Sequence, residues 1–120
     1  MDAVAKREKM EKDLAIVKIG LGATKRVGSD AYPYYIADKY VTKNGRYVVG
    51  MYEADAHFER DWTEGTQKVD PFDPKKRPEF YICAWRNSWY LSDMNGNLLE
   101  PHRKEFFSFG AAVAYQDPSF

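Results

Sequence analysis

The sequence predicts an α+β domain: an N-terminal helix packed on an antiparallel meander sheet of about five strands, followed by a short C-terminal helix. Three observations lead there. Nineteen of the 120 residues are aromatic, and all lie between Tyr32 and Phe120. Asn-Gly pairs, Asn44-Gly45 and Asn95-Gly96, divide that stretch in the manner of hairpin turns. The first part of the chain instead alternates charged and apolar residues at helical spacing.

Residues 2 to about 19 carry the helix. Val4, Met10, Leu14 and Val17 lie near one stripe, and Lys6, Glu8, Lys9, Glu11, Lys12 and Asp13 cover the remainder. Asp2 supplies an N-cap, and Gly20 or Gly22 ends the helix. Residues 20–33, with three glycines, Ser29, Asp30 and Pro33, read as a loop. A hairpin follows, Tyr34 to Lys43 and Arg46 to Ala54, around a two-residue Asn44-Gly45 turn of type I′. That turn sets Val41 opposite Val48, Tyr40 opposite Val49 and Ala37 opposite Tyr52.

Residues 55–78 turn polar and end in Asp70-Pro71-Phe72-Asp73-Pro74-Lys75-Lys76-Arg77-Pro78. The prolines forbid regular structure, so a long Pro-rich loop is expected within the single domain 1–120, either functional or a solvated connection pinned by Phe72. Beyond it, strands are expected at Glu79 to Arg86, Trp89 to Asp93 and Asn97 to Glu100, with turns at Asn87-Ser88 and Met94-Asn95-Gly96. A closing helix, Ser108 to Tyr115, is capped by Ser108 and stopped before Asp117-Pro118, with a strand through Phe106 to Phe109 as the alternative.

Eighteen basic and eighteen acidic residues give zero formal charge. A non-specific duplex binder needs a positive excess facing the phosphates, and a nucleic-acid mimic the opposite, so the balance argues against both. The single cysteine, Cys83, sits in the apolar run Phe80 to Trp85 and reads as a buried thiol in a reducing compartment. With no signal-peptide pattern and no apolar stretch of membrane-spanning length, a cytoplasmic location is expected.

No cofactor motif is complete, so no cofactor is expected. Gly20-Leu21-Gly22-Ala23-Thr24-Lys25-Arg26 lacks the endings of the known phosphate-cradling loops. The richest polar cluster is Glu53 to Asp61, where an extended backbone sets Asp55, His57 and Glu59 on one side. Those three are the candidate metal ligands of a metal-dependent enzyme, weighed against an edge strand showing charge to water. Lys43, Arg46, Lys75, Lys76 and Arg77, interleaved with aromatics, are the candidate contacts of a single-stranded nucleic-acid binder, weighed against solvated turn charges.

One helix covers only one sheet face, so some aromatics must lie on the other face or in the long loop. Tyrosine and tryptophan tolerate half-exposure and are enriched in binding hot spots. The leading expectation is therefore a non-enzymatic protein-binding module, of the accessory or inhibitor type found in phages and mobile elements, that occupies a surface of a larger protein partner. Its expected contacts are Tyr47, Trp62, Phe72, Trp85 and Trp89.

Overall fold

The computed structural model describes residues 2–27, 30–58, 67–99 and 105–115. A helix, α1 (Ala3–Ile16), opens the chain and is capped by the Asp2 carboxylate, which accepts from the Ala5 amide. Strands β1 (Gly22–Val27), β2 (Asp30–Val41), β3 (Tyr47–Glu53), β6 (Phe80–Trp85) and β7 (Ser88–Ser92) form one antiparallel sheet in the order β1-β2-β3-β6-β7. Between β3 and β6 the chain makes an excursion containing β4 (Ala56–Phe58) and β5 (Gln67–Val69), which pair with each other. A short helix, α2 (Phe109–Tyr115), starts after the Ser108 cap, whose hydroxyl accepts from the Ala111 amide. Since α2 lies against both edge strands, β1 and β7, the sheet is curled around it. The α+β meander with a helix at each end is thus as expected.

Four local expectations are corrected. Residues 22–27, read as loop, form β1, registered against β2 from Gly22↔Tyr35 to Val27↔Asp30. The β2–β3 register is one residue away from the expected one, with Tyr40 opposite Val48 and Val41 opposite Tyr47. The cause is the turn: the Thr42 amide donates to the Arg46 carbonyl and the Gly45 amide to the Thr42 carbonyl, so three residues lie in the loop. Only Gly45 has positive φ (+77°), the signature of a type I turn closed by a glycine bulge rather than a type I′ turn. A second register shift at Ala37 places Ile36 opposite Met51 and Tyr35 opposite Tyr52.

The third correction lies between β6 and β7. There Arg86 and Asn87 form the two-residue turn, both at positive φ (+51° and +61°), and Ser88 already belongs to the strand. Asp93 to Asn97 then repeats the Thr42–Arg46 pattern, with Gly96 at φ +79°. The expected strand after it contributes a single bridge, Leu98 to Ser92. Fourth, the excursion is not free of regular structure, since β4 and β5 lie within it.

The sheet's helix-covered side holds the main core. Tyr34, Ile36, Val49, Met51, Ile82, Trp89 and Leu91 pack there with Met10 and Val17 from the N-terminal segment and Phe109, Ala112 and Val113 from α2. Val4, expected in the apolar stripe of α1, is exposed. Asp13, expected on the charged side, is buried: its Oδ2 accepts from the Trp89 indole N–H and the Phe109 amide, each at 3.0 Å. Among the described residues no helix is long and apolar enough to cross a membrane.

Candidate functional site

Strand alternation and the observed register put a second set of side chains on the face turned away from the helices. Tyr35 and Tyr52 pair across β2 and β3, Tyr40 faces Val48, Val48 faces Cys83, and Cys83 faces Tyr90. Two loops cover parts of this face.

The first cover is the proline-rich segment. Phe72 packs on Tyr35 and Tyr52, with ring centroids 5.7 and 6.2 Å away. The Tyr35 hydroxyl donates to the Asp70 carbonyl (2.9 Å), and the Tyr52 hydroxyl accepts from the Asp73 amide (2.9 Å). Gly50 is required beneath this segment, because a Cβ there would stand 2.6 Å from Pro78 Cγ. Phe72 pins the loop, as expected of a packed connection.

The second cover is the Asp93–Asn97 turn, which nests against the Thr42–Arg46 turn. Tyr40 donates its hydroxyl to the Met94 carbonyl, and Arg46 Nη1 donates to the Gly96 carbonyl (2.6 Å). A Cβ on Gly96 would meet Arg46 Cβ at 3.2 Å and Thr42 Cγ2 at 3.3 Å and would be strained at φ +79°, so a side chain there would push the two turns apart by a few tenths of an ångström. Val48 and Cys83 are fully buried. Burial pushes the Cys83 thiol pKa up despite a hydrogen bond to Ser92 and the nearby Arg46, which suppresses the thiolate a nucleophile needs.

A half-exposed cluster remains beside these covers. Trp85, the last residue of β6, has the Arg46 guanidinium 4.5 Å and the Arg86 guanidinium 4.3 Å from its ring centroid. Tyr90 packs against the indole at 6.1 Å. Burial, and after it the carboxylate of Glu105, raise the Tyr90 pKa, so its hydroxyl stays protonated as a donor at neutral pH. Such a cluster offers guanidinium N–H groups held against an aromatic support, suited to recognising anionic groups.

The expected contacts therefore separate. Trp85 lies in this cluster. Tyr47 is half-buried on the helix-covered side. Phe72 holds the loop, and Trp62 lies outside the described residues. Trp89 is 0% exposed, its ring against Phe109 and its N–H on Asp13, so it presents no surface to a partner.

The basic residues do not converge either. Lys43 and Arg46 sit at one end of β3, whereas Lys76 lies 5.1 Å above the Tyr52 ring near the other end, roughly 20 Å along the strand. Lys76 also faces the Asp55 carboxylate at 3.9 Å, and Lys75 and Arg77 are exposed beside it. Of the candidate metal ligands, Asp55 follows β3 and is exposed, His57 belongs to β4 opposite Lys68, and Glu59 lies outside the described residues. Among the described residues no three His, Cys, Asp or Glu side chains are placed to hold a metal ion. The glycine-rich segment that starts at Gly20 runs into β1.

Sequence reasoning missed Arg86 and Tyr90. Strand alternation was the available signal for Tyr90, since even the expected Asn87-Ser88 turn sets it on the face of Trp85, whereas that turn placed Arg86 in the strand instead of the turn. No family model, no characterised protein and no solved structure matches this chain.

Proposed function

We propose that this chain is a non-enzymatic protein-binding module that acts, as accessory and inhibitor proteins do, by occupying a surface of a larger partner in the cytoplasm. The observation that carries this reading is the cluster of Trp85, Tyr90, Arg46 and Arg86, in which two half-buried rings stand beside two guanidiniums, that of Arg86 exposed. Tryptophan, tyrosine and arginine are the residues that dominate binding energy at protein interfaces. They combine large apolar area and few rotatable bonds with polar edges. The cluster is also anchored: Trp85 and Tyr90 stand on paired strands and Arg46 is tied to Gly96, so little side-chain freedom is lost on binding.

The test is capture of the partner from host lysate by tagged wild type and by Trp85→Ala, with Phe72→Ala as a second variant. Trp85→Ala is expected to weaken capture at moderate salt about thirtyfold or more, while Phe72→Ala, remote from the cluster, retains it. Undiminished capture by Trp85→Ala would exclude this face. Recovery of nucleic acid alone, lost steeply as salt rises, would support the single-strand reading instead.

A further inference from the structure

The partner's chemistry is written in the same cluster. Beside Arg46 and Trp85 lies a concavity of about 210 Å³, completed by Asn97 and Leu98. Arg46 lines it, the guanidiniums of Arg46 and Arg86 both lie over the Trp85 ring, and among the described residues neither is within ion-pair distance of a carboxylate.

The acids nearest by are already engaged. Asp93 accepts from the Asn95 amide (2.8 Å), the Asn97 amide (3.0 Å) and Asn97 Nδ2 (3.2 Å). Glu105 accepts from Lys6 and from the Ser88 hydroxyl. Arg46 commits Nη1 to the Gly96 carbonyl, which fixes its plane and leaves its other N–H groups for a ligand.

Arg86 supplies an independent argument. It occupies the first position of the β6–β7 turn at φ +51°, where glycine or asparagine folds with less strain than a long side chain. Backbone conformation does not favour arginine there. Its side chain, laid over Trp85, does.

We propose that Arg46, Trp85 and Arg86 form a carboxylate-binding site that seats an aspartate or glutamate side chain of the protein partner. The proposal rests on the protein-binding reading and names what that partner must present. A planar guanidinium stacked on an indole keeps its edge free for bidentate pairing with a carboxylate. A polyanion is disfavoured, because Lys75, Lys76 and Arg77 stand near the far end of β3 and offer no continuous track from this site.

The experiment is a nuclear magnetic resonance titration of the full chain with blocked hexaglutamate, blocked hexaglutamine and a short oligothymidylate. Hexaglutamate is expected to shift the Trp85 indole N–H and the Arg46 and Arg86 guanidinium signals, and hexaglutamine to leave them in place. In Arg86→Gly the hexaglutamate affinity is expected to fall about tenfold with thermal stability equal or higher, which separates lost binding from lost folding. Equal response to hexaglutamine, response to oligothymidylate alone, or no response at these groups would overturn the site. In lysate capture, loss with Trp85→Ala but not with Arg86→Gly would sink the carboxylate site and keep the protein-binding reading, whereas retention in both variants would sink that reading itself.

Discussion

Asp13 is the residue on which the helices depend. Its carboxylate is almost wholly out of water, a position that is costly unless every oxygen is hydrogen-bonded. Oδ2 takes the Trp89 indole N–H and the first amide of α2, and Oδ1 takes the Lys9 ammonium at 2.8 Å. One side chain thereby joins α1, β7 and α2. Asp13→Ala strands two buried N–H donors and is expected to cost about 2–4 kcal/mol in urea unfolding. Asp13→Asn keeps an oxygen for both donors and is expected to cost roughly half as much or less. Equal losses in the two variants would mean that the carboxylate's charge, which faces Lys9, and not its ability to accept the two N–H groups, sets the value of the site.

The turns decide which side chains share a face, and so decide the composition of the candidate site. Asn44-Gly45 was legible as a reversal, yet the same dipeptide serves both a type I′ turn and a type I turn closed by a glycine bulge, and local sequence does not separate them. What selects the second here is the interlock: Gly96 lies against Thr42 and Arg46, and Arg46 bonds the Gly96 carbonyl. Gly45→Ala is expected to cost about 1 kcal/mol, because Gly45 needs positive φ, while Asn44→Ala is expected to stay within about 0.5 kcal/mol. A type I′ turn would penalise both substitutions, so chemical denaturation of the two variants tests the assignment. The same reasoning explains what else could be read from sequence. The helix caps Asp2 and Ser108 are local hydrogen-bonding devices and were legible. Strand β1 was not, since the glycines that suggested a loop stand beside β-branched residues whose pairing with β2 is decided by tertiary contact. Asp13 was hidden for a related reason: nothing in helical periodicity marks a carboxylate whose partners are 76 and 96 residues away.

At the scale of the whole molecule, acid sensitivity follows from two carboxylates, Asp93, which closes its own turn, and Glu105, which joins the N-terminal helix to β7. Burial raises the Asp93 pKa, but the Asn97 and Asn95 amides, the Asn97 side chain and Arg46 together outweigh it and hold the carboxyl below its ordinary value. Glu105 is likewise lowered, first by its hydrogen bond from Lys6 and then by that from Ser88. A folded pKa below the unfolded one means that the stabilisation is complete above the ordinary carboxylate range, about pH 4, and is lost as pH falls through the folded values. Thermal melts are therefore expected to hold steady at neutral pH and drop below about pH 4, with a shallower drop in Asp93→Asn. The Asp13 bracket has a temporal meaning as well. During synthesis α1 leaves the ribosome before the elements it docks on, and fourteen residues are too few for a helix to persist unaided. Its latch closes on Phe109, 96 residues after Asp13, so α1 is made long before it is fully secured, and any pause in translation before that residue leaves the latch open.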